Sequence, residues 1–337
     1  MNLRKIIFEL HKILGLTTGI VVFIVAITGC CWAFRDEIES LYDDYKKVSP
    51  QNKPILTPTE AKMYAMEVFP NNHVHGTLFK KADDAIEVIF YDPEPEFYQS
   101  VFLNPYTGEV IQVDDHLSGF FAFILKGHMR LWLPKEIGEQ VVGASILIFM
   151  VIILSGIFLW IPKKRKNLKQ RLRFNWKDST RWKRKNFDLH TVIGFYICSL
   201  ALILAFTGSV MSYNWMKYVL YKSLGGDKEA AFIIPENIGT ANINEDVKPM
   251  DLLIPKLWAA SPEAESFELH YPKSEDESIY VEVSNSSGLY YDSDFRFFDQ
   301  HTLEEIETPG IYGKYEDAKV ADKILRMNYD IHIGAIG

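Results

Sequence analysis

The chain has 337 residues, 48% hydrophobic and 14% aromatic, with 36 Lys and Arg against 44 Asp and Glu for a formal net charge of −8. The apolar residues are gathered into blocks, which excludes a wholly soluble protein, and the long acidic stretches between them exclude a bare membrane bundle. No GxGxxG, Walker loop, nucleophile elbow or CxxC occurs, so no nicotinamide or flavin site is supported within the chain and any electron donor would be a separate protein or small carrier.

Residues 13–34 carry no charge, and at about 1.5 Å per residue they cross a hydrocarbon core of roughly 30 Å. A cleaved signal peptide is the alternative, because Arg4 and Lys5 precede the run. The apolar part is too long for one, and it ends in Cys30-Cys31-Trp32-Ala33-Phe34-Arg35 rather than a small-x-small site. Residues 1–34 therefore read as an N-terminal segment and first span.

Residues 35–140 read as an α+β domain. A helix is expected over 57–69, with Pro58, Thr59 and Glu60 near its start. Strands are expected over 87–91 and 100–103, joined by the turn-rich DPEPEFYQ and followed by NPYTGEV. The segment closes on Leu125-Lys126-Gly127-His128-Met129-Arg130-Leu131-Trp132-Leu133-Pro134. A second charge-free span covers 141–161. The connection 162–188 holds twelve Lys or Arg against two acids, which places it in the cytoplasm, against anionic lipid headgroups rather than nucleic acid. A third span covers 189–216. With the N terminus inside, both acidic segments lie on the far side.

Residues 217–330 repeat the first acidic segment: a helix over 249–260, strands over 278–283 and 295–298, then Asp299-Gln300-His301-Thr302-Leu303-Glu304-Glu305-Ile306. If the symmetry holds, 331–337 begin a fourth span and the chain is C-terminally incomplete. Trp32, Trp160 and Trp215 fall near span ends as an interfacial belt. Cys198 lies mid-span and Cys30 and Cys31 are adjacent, so the acidic segments fold without disulfides. The fold class is an α-helical membrane protein, three complete spans and the start of a fourth, with two repeated extracytoplasmic α+β domains.

The repeat is sharpest in FELHKILGL and FDLHTVIGF, around His11 and His190. Both continue to a Thr-Gly pair, Thr28-Gly29 and Thr207-Gly208, for which close helix packing is preferred over a bond back to the preceding turn. His11 and His190 stand at the inner ends of their spans, and His128 and His332 outside. Two histidines at each face suit a pair of bis-histidine haems, because two neutral imidazoles saturate haem iron for electron transfer. Gly15 and Gly194, one turn after their histidines, would clear room for a flat macrocycle. The competing reading is an interfacial histidine with an ordinary hydrogen bond, which register and sidedness across two copies outweigh. Lys12 and Arg130 are candidates for haem propionates or plain snorkelling cations. His73-Val74-His75 is read as a solvated loop rather than a metal site, and His116, His270 and His301 receive no role.

Taken together, FELHKILGLTTGIVVFIVAITG, NPYTGEV, HMRLWLP, LSGIFLWIPKK and FDLHTVIGFY with its following FTG resemble the PepSY-associated transmembrane family over essentially the whole chain. DQHTLEEI departs from that family's usual D-x-x-T-G-E turn. The resemblance implies PepSY-like outer domains in the periplasm of a bacterium, an inner (cytoplasmic) membrane location, and b-type haems. It also implies a cytochrome b-like ferric reductase acting on ferric siderophores or other ferric chelates in iron uptake, fed by a cytoplasmic electron donor. Carried over by position, His11 and His190 would hold one haem b and His128 and His332 another. No side chain is expected to act as acid or base. The alternative is a non-enzymatic module anchored by its spans, whose PepSY domains bind a periplasmic partner.

Overall fold

The computed structural model describes residues 2–162, 168–239 and 248–336. In chain order these form helices α1 (Leu3–Ala33), α2 (Arg35–Glu39) and α3 (Pro58–Met66). Strands β1 (Val74–Phe79), β2 (Ile86–Pro93), β3 (Glu96–Leu103) and β4 (Val110–Asp115) follow. Next come α4 (Gly119–Arg130), α5 (Lys135–Trp160), α6 (Leu168–Arg171), α7 (Trp182–Ser212), α8 (Asn214–Ser223) and α9 (Leu253–Ala260). The chain continues through β5 (Ser266–His270), β6 (Ile279–Ser284), β7 (Asp294–Phe298) and β8 (Glu305–Ile306) to α10 (Val320–Ile333). Two compact units result, Met1–Ala33 with Phe123–Met216, and Phe34–Ala122 with Lys217–Gly337.

The first unit is helical. α1, α5 and α7 have 31, 26 and 31 residues and contain 18-residue stretches of mean hydropathy 2.3, 2.8 and 2.1, long and apolar enough to cross a membrane. They overlap the three expected spans, with α7 ending at Ser212 where the expectation ran to 216, and the protein is a membrane protein. α5 packs against both α1 and α7. Small residues make the contacts: Gly143 of α5 faces Tyr213 so closely that a Cβ there would lie 2.7 Å from its hydroxyl. Large apolar side chains such as Leu16 (85% exposed) and Leu200 (59%) point outward, as lipid-facing positions do. Thr28 and Thr207 both donate back into their own helices, to Ile24 O at 2.7 Å and Ile203 O at 2.9 Å. Both are also buried, and the bond back to the preceding turn is present in both copies.

The second unit is built on one antiparallel sheet in the order β4-β3-β2-β1-β5-β6-β7-β8. The two acidic segments thus share a sheet instead of standing as separate domains. Each contributes a four-stranded meander, and the first strands of the two join, pairing Thr77 with Leu269 and Phe79 with Phe267. β1 corrects the loop reading of NNHVHG. Its alternation is hidden in the sequence by Gly76 and by an irregularity between Val74 and Gly76, where the period of two that marks a strand slips. One sheet face, with Val88, Phe90, Val101, Leu269 and Val281, packs against Ala61 and Ala65 of α3 and Leu253 and Leu257 of α9. α3 starts where the sequence placed it, because Thr57 accepts from Glu60 N while Glu60 accepts from Thr57 N at 2.8 Å, a reciprocal cap that satisfies two otherwise orphaned donors.

The drifted turn keeps its geometry. Gly108 at φ 74° in NPYTGEV has its counterpart in Leu303 at φ 57° in DQHTLEEI. Asp299 compensates: its carboxylate accepts from the backbone of Ile238, Gly239, His301 and Thr302. Burial raises its pKa, but these four donors more than reverse that and hold it well below the usual carboxylate range.

Candidate functional site in the helical unit

Helical spacing puts Arg4, Phe8, His11, Gly15, Thr18 and Val22 on one stripe of α1, and His190, Thr191, Gly194, Ile197 and Ala201 on one stripe of α7. With Phe149, Ile153, Gly156 and Trp160 of α5 they line a cavity of about 1160 Å³. Its walls are almost wholly apolar apart from the two imidazoles and a basic end formed by Arg4, Lys5, Lys12 and Arg171.

His11 and His190 face each other across this space, their ring centroids 6.2 Å apart and their planes inclined at 75°. His11 Nδ1 lies 2.9 Å from Ser155 Oγ. The serine hydroxyl donates to Ile152 O at 2.9 Å, so its oxygen accepts from His11, which fixes the Nδ1–H tautomer and leaves the lone pair on Nε2. A Cβ on Gly156 would sit 3.2 Å from His11 Cε1, whereas one on Gly15, Gly19 or Gly194 would meet nothing within 4 Å. The first glycine seats the imidazole, and the other three border open space. Trp160 and Phe195 stack at 3.8 Å as part of the wall, and the buried Trp160 Nε1 has no hydrogen-bond partner. Lys12 pairs with Glu9 at 2.5 Å.

His128, in the last turn of α4, is seated against α1 in the same manner. Its Nδ1 donates to Val25 O at 2.9 Å, and a Cβ on Gly29 would come 3.0 Å from its Cε1. The chain then turns sharply through Leu131 and Trp132, at φ 53° and 58°. Trp132 folds back over Gly127 and donates to Phe123 O at 2.8 Å, which is the packing behind the HMRLWLP stretch. His332 belongs to the sheet unit, in the last turn of α10. That helix ends at Ile333 with Gly334 left-handed at φ 80°, and Asp330 ties it to the backbone of Tyr290 and Tyr291. The structure therefore brings His11 and His190 together at one cavity, fixes His128 on α1, and describes His332 within the other unit.

Sequence reasoning gave no site role to Ser155, Gly156, Trp160, Arg4 or Arg171. The first two stand in the LSGIFLW stretch, where small residues on an otherwise apolar helix were the available signal. It also missed a row of rings across the sheet unit, Tyr280, His270, His75, Tyr91, Tyr98 and His116, with successive centroids 3.9, 4.8, 5.6, 5.5 and 4.3 Å apart. Burial, then the neighbouring His270, pushes His75 down to about 4, and burial pushes Glu87 up against its bond from Ser100. Among the described residues no group of three or more His, Cys, Asp or Glu is placed to hold a metal ion.

No curated protein matches the chain. The family described as PepSY-associated TM region matches residues 8–337, from the first repeated histidine motif through the sheet unit to α10. The chain belongs to the PepSY-associated transmembrane family.

Proposed function

We propose that the protein is a b-type haem electron conduit that carries electrons across a bacterial inner membrane and reduces a ferric chelate, such as a ferric siderophore, on the periplasmic side. The observation that carries this reading is the convergence of His11 and His190 on one apolar cavity. Two metal–nitrogen bonds of about 2 Å each, with the half-width of each ring, put opposed imidazole centroids roughly 6 Å apart, and the pair stands at 6.2 Å. A volume of about 1160 Å³ suits a group at the large end of the roughly 300–1,000 Å³ usual for small-molecule sites.

His11 and His190 would hold the iron, and the haem would supply one-electron redox chemistry. Ser155 holds His11 in the tautomer that presents Nε2, and orienting hydrogen bonds of this kind raise ligand basicity. Gly15, Gly19 and Gly194 keep the helix surfaces bare where a flat ligand would lie. Phe149, Ile153, Trp160 and Phe195 give the site an apolar wall. His128 and His332 enter as a second pair on their repeat positions alone. The basic connection 162–188 orients the N terminus and the His11–His190 end toward the cytoplasm, where a separate donor would deliver electrons. Reduction weakens a ferric chelate because ferrous iron is held less strongly by hard oxygen ligands.

The test is the reduced-minus-oxidised absorption spectrum of the full chain purified in detergent from cells supplied with haem, followed by mixing of the reduced protein with ferric chelates. A Soret and α band that reoxidise on adding chelate are expected. Absence of both bands would favour a non-enzymatic module whose spans serve as an anchor.

A further inference from the structure

Arg4 and Arg171 reach the same end of the cavity from α1 and α6. Arg4 donates to Ile161 O at 2.7 Å and to Leu159 O. Arg171 donates to Trp160 O at 2.5 Å and to Leu159 O at 3.2 Å. Sharing the Leu159 carbonyl places the two guanidinium groups side by side at the C terminus of α5. Among the described residues their hydrogen bonds go to carbonyls and not to a carboxylate. A helix C terminus offers about half a negative elementary charge, so capping α5 leaves roughly 1.5 positive charges unbalanced at this spot. Each guanidinium also has more N–H groups than these carbonyls use. Arg4 lies seven residues before His11, two turns along one helix face, about 10 Å away along the axis.

From this geometry we infer that Arg4 and Arg171 form an anion seat for the charged edge of an amphipathic ligand whose apolar body fills the cavity. Resting on the reading above, that edge is the pair of carboxylates on the haem held by His11 and His190. The same oxyanion chemistry is offered by the phosphate of an anionic lipid. The apolar body lies among Ile153, Ile157 and Phe195, and the forked guanidinium donors match planar oxyanions. The seat also fixes which edge of the ligand faces the basic end, a choice that two imidazoles alone do not make.

The experiment uses the full chain in nanodiscs, freed of haem and titrated with haem b and with its dimethyl ester while the Soret band is followed. Wild type is expected to prefer haem b by roughly tenfold or more, the scale of one charge-assisted hydrogen bond. Arg171→Gln should cut that preference to about threefold or less while the low-spin spectrum of two axial imidazoles persists. Arg171→Lys, which retains the charge and the cap, should fall between them and guards against a folding defect. Equal binding of acid and ester by wild type, or an unchanged preference in Arg171→Gln, would overturn the seat while leaving the haem reading intact. If neither porphyrin binds, the haem reading fails, and native mass spectrometry of the protein from phosphatidylglycerol and phosphatidylcholine discs decides. Retention of the anionic lipid by wild type but not by Arg171→Gln supports the seat with a lipid phosphate in it, and no selective retention overturns it.

Discussion

At the residue scale, the His11 imidazole is held against Ser155 at the wall of an apolar cavity. Ser155 accepts from His11 Nδ1 because its own proton is spent on Ile152 O. Ser155→Ala removes that acceptor and leaves the Ile152 backbone as the ring's remaining partner, and loss of such an orienting partner costs roughly 10–100-fold in metal affinity. Haem titration of the apo variant should show a weakening on that scale, and unchanged affinity would mean that Ser155 does not orient the ligand. Gly194→Leu should block haem uptake while leaving the helical content of the circular dichroism spectrum unchanged, since Gly194 borders open space and a side chain there meets no protein atom. The repeated histidines were legible from sequence because two copies in register are a local signal. Ser155 and Gly156 were not, because a small residue on an apolar helix reads as packing until its neighbour across the bundle is known. Arg171 was hidden among twelve basic residues of one connection.

At the scale of elements, the three spans were legible because charge-free length is local, and α3 because its cap is written in four consecutive residues. The central pairing of β1 with β5 was not, since the partner strands are almost two hundred residues apart and β1 breaks its own alternation. The turn that closes the first meander depends on Gly108: its φ of 74° and a Cβ that would fall 2.4 Å from the Tyr64 ring leave no room for a side chain. Gly108→Ala should destabilise the sheet unit by about 2 kcal/mol or more, combining the left-handed penalty of roughly 1–2 kcal/mol with displacement of Tyr64, as read by chemical denaturation.

His75 ties the same sheet to pH. It takes a proton near 4 in the folded protein against 6.5 otherwise, so between those values the unfolded chain binds more protons and stability rises with pH. The contribution is complete above about 6.5 and is lost as pH falls toward 4. His270 and His73 and Lys273 disfavour the proton and Glu268 favours it. Glu87, raised by burial, acts with the opposite sign, so the contrast between wild type and His75→Gln isolates the effect. Wild type should lose thermal stability from pH 7 to pH 5 more steeply than the variant. Parallel slopes would mean that His75 protonates freely in the fold.

At the scale of the molecule, two lengths of apolar helix carrying the same histidine motif are held by a third, and two acidic segments meet in one sheet whose halves mirror each other about β1 and β5. The sequence repeat thus appears in the structure as paired elements around shared partners rather than as two independent domains. The measurement closest to the central claim is electron paramagnetic resonance of the oxidised full chain beside its His190→Ala variant, with haem content determined in each. A low-spin ferric signal from two axial imidazoles is expected in wild type, and in the variant loss of one haem or its conversion to a high-spin signal. An identical low-spin signal and haem content in both proteins would contradict ligation by His11 and His190.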